Sequence, residues 1–421
     1  MTAKKIIFFS FLALIFLIFF NIDTIRSYAR QNLPSEVKIF VKELFFGEKF
    51  IREVKTYRLE NYNQKILPET QFEELQLSLR PLKDMGFLQS TQFKKFFIEV
   101  FNNDLLVLSH KGKVGIMKNF DLEKITTLDS NLEDFNIVSI LDVTVINKEL
   151  FVSLSSYKKS KTDECAFFNL LKAPLEDGKL IFESFYETKT CLNSTLGGRI
   201  KHYNFEGEEG LLLTTAATEN PKDSDIPLLA QDDKSPYGKI LFFNIKNRQF
   251  KIFSKGHRNP QGLIVDGDVI LSTEHGPYGG DEINKIVFNG NYGFPIVSHG
   301  DSLYFNNEIL KKRLDYKYKK SHSESSFIEP IFTFLSAIGI SEIEKIPNDF
   351  SKYWQNNYLI SSLNGRALYR ILFDDNFTKV IYLERIPVPE RVRDLKYIPE
   401  IKSFILAFES SGSLGLLSLK K

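Results

Sequence analysis

Residues Gly256 to Gly300 read GHRNPQGLIVDGDVILSTEHGPYGGDEINKIVFNGNYGFPIVSHG. Two apolar runs within them, Val269 to Leu271 and Ile283 to Val287, read as short strands at period two. Asn289-Gly290 is an ordinary hairpin signal. The segments between, GHRNPQG and EHGPYGGDE, carry glycine and proline, which fix the backbone so that carbonyls can point inward. Arg258 beside Asn259 sets a guanidinium next to an amide, a pair suited to a planar, anionic, oxygen-rich ligand.

Outward from this stretch the same short-strand texture continues. LLVLS (105–109), a turn at His110 to Lys113 and VGIM (114–117) make a hairpin. ELFVSL (149–154), AFFNLL (166–171), GLLLTT (210–215), KILFFNI (239–245) and VILST (269–273) follow, then NYLISSL (357–363), ALYRILF (367–373), SFILAF (403–408) and GLLSL (414–418). Helical periods are scarce, and Gly, Asn, Asp and Pro separate the runs, so the class is all-β. About 325 residues of this pattern exceed one sandwich, whereas blades of ~40–50 residues fit six times. Of the sandwich, barrel and propeller that such runs allow, the span 93–421 has room for a propeller of six blades.

The rest of the chain bounds where such a propeller works. Its 55 basic residues balance 53 acidic ones, which leaves no nucleic-acid footprint. Lys4-Lys5 precede fifteen residues, IIFFSFLALIFLIFF, interrupted only by Ser10. That run serves either an uncleaved membrane anchor, the favoured reading, or a cleaved signal ending near Ser27-Tyr28-Ala29. Both place the body of the protein outside the membrane, on the periplasmic or extracellular face. Residues 31–92 read as a linker, with an amphipathic helix at Ser35 to Phe46 and breaks at Pro68 and Pro81. Cys165 and Cys191 are the two cysteines. In an exported chain a disulfide is the better expectation, stabilising by roughly 3 kcal/mol, although a free pair fits a cytosolic one.

GHRNPQGL (256–263), EHGP (274–277), GGDEIN (279–284) and NYGFP (291–295), in that order, resemble the soluble glucose, aldose and sorbosone dehydrogenases that depend on pyrroloquinoline quinone (PQQ). LGGRI (196–200), AQD (230–232) with GKI (238–240), and ERVRD (390–394) resemble further segments of that family. The resemblance implies a six-bladed propeller with PQQ and calcium at one end of its channel. It implies that the backbone carbonyls of Gly276 and Pro277 ligate the calcium. Arg258, Asn259, Arg391 and Arg393 would contact PQQ, and Asp281 with Glu282 would hold a second, structural calcium. Arg391 and Arg393 are alternate strand residues, so both heads can face one channel. The implied activity is oxidation of an aldose or similar polyol, with electrons passing to a membrane quinone or a small carrier.

The departures concern the reacting groups. The position at which the family pattern expects the catalytic histidine reads Ile146, in ILDVTVINKE (140–149). Asp142, His110 and His275 could stand in as base. The family's Gly-Asp after the next strand is replaced within TTAAT (214–218), and its later lysine by Asn364 or Arg366. Loss of a general base lowers the rate about 10²–10⁴-fold. The alternative is thus a non-catalytic propeller that binds a sugar, glycan or protein at the cell envelope.

Overall fold

A computed structural model describes residues 65–66, 73–88, 94–158, 165–175, 179–193, 195–218, 225–277, 279–300, 322 and 326–420. Six sheets of four or five strands follow one another along the chain. Each is a blade with one strand against the axis. The inner strands are Phe96–Phe101, Ile137–Ile146, Gly197–Phe205, Pro260–Asp266, Ile340–Lys345 and Val392–Ile398, for blades 1 to 6. Each packs beside the next, and the sixth returns to the first, which closes the ring.

Alternation dictates this arrangement. Strands such as Asp104–Ser109 and Asn357–Ser362 are buried on both faces, because each sheet is covered by a blade on either side. The apolar interior accordingly forms six clusters, one between each pair of neighbouring blades. The abundant phenylalanines belong there: Phe151, Phe168 and Phe243 fill the space between blades 2 and 3. Cys165 and Cys191 form a disulfide, with Cα atoms 5.6 Å apart, beside the Ala166–Leu192 bridge of blade 2.

Two expectations are corrected. The segment assigned to a linker supplies a strand of blade 6: Leu75–Pro81 pairs antiparallel with Ser413–Leu419, from Leu75 opposite Leu419 to Pro81 opposite Ser413. LQLSLRP alternates apolar and polar residues, and Pro81 falls at the strand end, where a missing N–H costs no pairing. The N-terminal side of the propeller thus closes the ring by joining the last blade. Nor is Asn289-Gly290 a hairpin joining neighbouring strands of blade 4. It turns the chain so that Gly290–Asn291 pairs in parallel with Ser254 and Lys255 of blade 3. The membrane segment at 1–30 and the amphipathic helix at 35–46 lie outside the described residues. No helix among those described is long and apolar enough to cross a membrane.

Leu77 is 2% exposed, within the cluster between blades 5 and 6. Leu77→Ala is expected to lower unfolding stability by about 2–5 kcal/mol, measured by chemical denaturation. An unchanged midpoint would return this segment to the status of a linker.

Candidate functional site

The axis is closed by one guanidinium. Arg199, on the inner strand of blade 3, is 3% exposed and reaches all five other blades. Its Nη1 lies 2.7 Å from Asp142 Oδ1 of blade 2, 3.0 Å from Glu342 Oε2 of blade 5 and 3.0 Å from Asp394 Oδ1 of blade 6. Nε donates to the Gln261 carbonyl of blade 4 at 2.6 Å, and Nη2 to that of Arg393 at 3.1 Å. The guanidinium also stands 5.3 Å from the ring centroid of Phe97 in blade 1. Asp394 extends the closure by accepting from Ile98 N–H at 3.0 Å. Gly198, at φ 106°, lets the strand come this close: a Cβ there would meet Leu141 Cβ at 2.3 Å.

The motif blocks are bonded to one another. Glu274 of EHGP accepts from His257 Nδ1–H at 3.0 Å and from the N–H groups of Arg258 and Asn259, so it straps GHRNPQG from below. His275 N–H donates back to the Asn259 carbonyl at 3.1 Å. Gln231 of AQD reaches Asn291 and the Phe294 carbonyl of NYGFP, while the ammonium of Lys239 in GKI is wrapped by the carbonyls of Leu229, Ala230 and Tyr237. Most residues that identify the stretch are therefore scaffold.

Above Arg199, where the inner strands begin, lies a cavity of about 280 Å³. Lys95, Phe97, Leu141, Leu196, Gly197, Arg199, Asn259, Gln261, His275, Leu363, Arg391 and Arg393 line it. Its polar wall is one connected network. Asn259 Oδ1 accepts from Gln261 Nε2 at 2.8 Å, and Gln261 Oε1 from Arg393 Nη1 at 3.1 Å. Glu409 then bridges Arg393 and Arg391, at 2.8 and 2.6 Å from their Nε atoms. Burial works to raise the Glu409 pKa, but the two guanidiniums prevail and hold it down at about 2.

Arg258 does not line this cavity. It borders a smaller neighbouring one with Gly276 and Pro277, and its Nη1 donates to the His275 carbonyl at 3.1 Å. His275 borders both spaces, which brings the expected calcium carbonyls beside the expected cofactor cavity.

Lys95 was not foreseen as a site residue. It sits just before the inner strand of blade 1, its Nζ 3.4 Å from Ser139 Oγ and 5.0 Å from the Phe97 ring centroid. Burial first, and Arg393 and Arg199 next, lower its pKa to about 7. Nothing in QFKKFF distinguishes this lysine from Lys94. Only the closing of the ring sets it opposite Arg393. The third basic group thus comes from blade 1, since neither Asn364 nor Arg366 lines the cavity and Leu363 does.

The expected base positions resolve differently. Ile146 ends the inner strand of blade 2 at the edge away from the cavity, 4% exposed in the apolar cluster between blades 2 and 3. The strand enters the cavity near Leu141 and then runs away from it, so Ile146 does not occupy a catalytic position. Asp142 is committed to Arg199 and, through Oδ2, to Ile200 N–H at 2.8 Å, which makes it part of the floor. His110 lies in the hairpin turn outside the cavity, its pKa lowered to about 4 by burial and by Lys111 and Lys95. His275 reaches the cavity, but Nε2 lies 2.6 Å from the Ile340 carbonyl and must carry the proton. Nδ1 then accepts from Asn259 Nδ2 at 3.4 Å, and burial, Arg393 and Arg258 lower the pKa to about 3. It stays neutral and fixed.

Asp281 and Glu282 do not share a site either. As successive strand residues they face opposite sides. Asp281 accepts from the N–H groups of Gly276 at 3.2 Å and Ile340 at 3.1 Å, pinning the loop, while Glu282 borders the smaller cavity.

The family model described as glucose/sorbosone dehydrogenase matches residues 96–416, and the chain belongs to that family. The aldose sugar dehydrogenase YliI of Escherichia coli is 29% identical over 243 residues, 54% of this chain and 60% of that protein. The crystal structure of the soluble aldose sugar dehydrogenase of E. coli in the apo form superposes with a TM-score of 0.63 at 19% identity, covering 82% of this chain and 99% of that one. The PQQ-bound aldose sugar dehydrogenase of Streptomyces coelicolor superposes at 0.58 and 15% identity, covering 86% and 99%. Both likenesses show the shared propeller fold.

Two outcomes test the polar floor and wall. Arg199→Met leaves three buried carboxylates facing one another, and a loss of about 3–5 kcal/mol in urea unfolding is expected. Glu409 has a folded-state pKa below its ordinary value of 4.5, so its stabilisation is full above that pH and is lost as pH falls towards 2. Glu409→Gln should therefore show a shallower loss of stability than the parent between pH 5 and 2, followed by fluorescence. Parallel acid limbs would show that Glu409 is not ionised against the two arginines.

Proposed function

We propose that this propeller is a PQQ- and calcium-dependent dehydrogenase of aldose-type sugars, exported from the cytoplasm and working in the cavity above Arg199. One observation carries the reading: Lys95, Arg391 and Arg393 converge with the amides of Asn259 and Gln261 on one cavity, beside the Gly276–Pro277 loop. Three cationic heads face the single carboxylate of Glu409, a surplus that suits a planar polycarboxylate. Burial does most to lower the Lys95 pKa, and the same surplus adds to it, a share that an anion in the cavity would relieve.

PQQ, when bound, supplies a two-electron acceptor for the hydride of a sugar C–H. Arg391 and Arg393 would hold its carboxylates, already aligned by Glu409, and Asn259 and Gln261 would donate to its oxygens. The Gly276 and Pro277 carbonyls would ligate calcium, a hard cation that takes oxygen. Lys95 takes the proton of the reacting sugar hydroxyl. Among the groups lining the cavity it alone combines a pKa near 7 with a free lone pair when neutral, since His275 has both ring nitrogens engaged. Phe97, Leu141, Leu196 and Leu363 supply apolar wall that limits water around the reacting carbon. The disulfide supports an oxidising compartment, and Lys4-Lys5 with the apolar run after them supports a membrane anchor; a membrane quinone or a small carrier would then receive the electrons.

Reconstitution with PQQ and calcium should raise the melting temperature by several degrees and give dye reduction with aldoses. Arg393→Ala should abolish the thermal shift. Lys95→Met should keep most of the shift, since Arg391 and Arg393 remain, but lower kcat about 10²–10⁴-fold and remove a rise of activity with pH above neutrality. A parent protein that shows no PQQ-dependent shift overturns this reading and favours a propeller that binds a sugar, glycan or protein without catalysis.

A further inference from the structure

We propose that Glu282, His299, His322 and Glu329 form a binding site for a divalent d-block cation of the zinc type, in place of the second calcium that the family resemblance puts at Asp281 and Glu282. One carboxylate oxygen of Glu282 and one ring nitrogen of each histidine lie within 4.8 Å of one another. Glu329 Oε2 stands 3.2 Å from His299 Nε2 and 3.4 Å from His322 Nδ1. A tetrahedral ion with bonds of about 2.0–2.1 Å separates its ligand atoms by about 3.3 Å, which matches both spacings. The two imidazoles stack at 4.7 Å with planes 15° apart, so both can address one point beside the carboxylates.

A second observation points to a ligand. His322 is 1% exposed, and its Nδ1 is buried without a hydrogen-bond partner. Buried ring nitrogens are ordinarily satisfied, so an unpaired one aimed at two carboxylates and a second imidazole calls for a cation between them. The neighbouring groups already orient the ligands. Asn284 Nδ2 donates to Glu282 Oε2 at 3.3 Å, and His322 N–H to Glu329 Oε1 at 3.2 Å. The donor set decides the class of metal. Two imidazoles favour zinc and its neighbours, whereas calcium takes six to eight oxygens. Asp281, the oxygen donor the resemblance would add, is held by backbone N–H groups instead.

The site would fasten the glycine loop from behind. Gly280 packs so closely on the chain at His299 and Gly300 that a Cβ would meet Gly300 N at 2.3 Å. A cation joining His299 to Glu282 therefore fixes the loop that carries Gly276 and Pro277, whatever the reaction in the main cavity.

The test uses the full chain, stripped with chelator and titrated with Zn²⁺, with Co²⁺ as spectroscopic probe and Ca²⁺ as competitor. One equivalent of Zn²⁺ should bind per chain and raise the melting temperature. Co²⁺ should show the intense ligand-field bands of a tetrahedral site, and a hundredfold excess of Ca²⁺ should displace neither. His299→Ala and His322→Ala should each weaken Zn²⁺ binding about 100-fold. Glu329→Gln, at a half-exposed position where folding is safe, should weaken it about tenfold. Zn²⁺ binding that is absent from the parent, unchanged in all three variants, or readily displaced by Ca²⁺ overturns the proposal.

Discussion

Six apolar clusters hold this propeller together between its blades, and among the described residues no cluster spans the axis, so the centre needs a different kind of contact. Arg199 provides it. A planar guanidinium with five N–H donors can address several strands at once, which a lysine ammonium on a flexible stem cannot. Its three carboxylate partners and two carbonyls belong to strands of four different blades, which pair along their backbones only within their own sheets. A buried charge is costly unless fully paired, and this pairing works only when all six strands are in register. The hub therefore favours the closed ring over partly assembled ones, a specificity that apolar packing between adjacent blades does not supply by itself.

The same hub sets the chemistry above it. Because Asp142, Glu342 and Asp394 are gathered below and around Arg199, negative charge is concentrated in the floor. The cavity wall receives Lys95, Arg391 and Arg393. Glu409 keeps the two arginines from repelling each other and aligns both heads before any ligand arrives. Preorganised donors of this kind lose little freedom on binding, so an anion of the proposed kind would meet a shape already set for it.

Most of the fold was legible because strands and turns are local. GLLLTT, KILFFNI and SFILAF fall on strands at or within a residue or two of their observed ends. Leu75–Pro81 escaped because Pro68 and Pro81 outweighed a clear alternation, and its partner strand lies more than three hundred residues away. The site was legible in part. Arg391, Arg393 and Asn259 do meet at one cavity, where the inner strands of blades 4 and 6 begin. Asp142 and Ile146 misled because counting along a strand does not say which end of the channel it enters. Lys95 carries no local mark at all, and its character comes first from burial in the closed ring and then from guanidiniums about 104 and 298 positions further along the chain.

A lysine as the proposed proton acceptor imposes a condition that a histidine would not. Lys95 is brought near neutrality by burial and by Arg393 and Arg199, the first of which also belongs to the polar cavity wall. Negative charge entering the cavity offsets those guanidiniums and moves the ammonium back towards its ordinary range. Anion affinity and base strength at Lys95 are thus opposed through a shared field. Glu409 moderates that opposition, since it already neutralises part of the arginine charge before anything binds and so narrows the change that Lys95 experiences. What remains lowered in the filled cavity is the share due to burial, the largest cause, which an anion leaves in place.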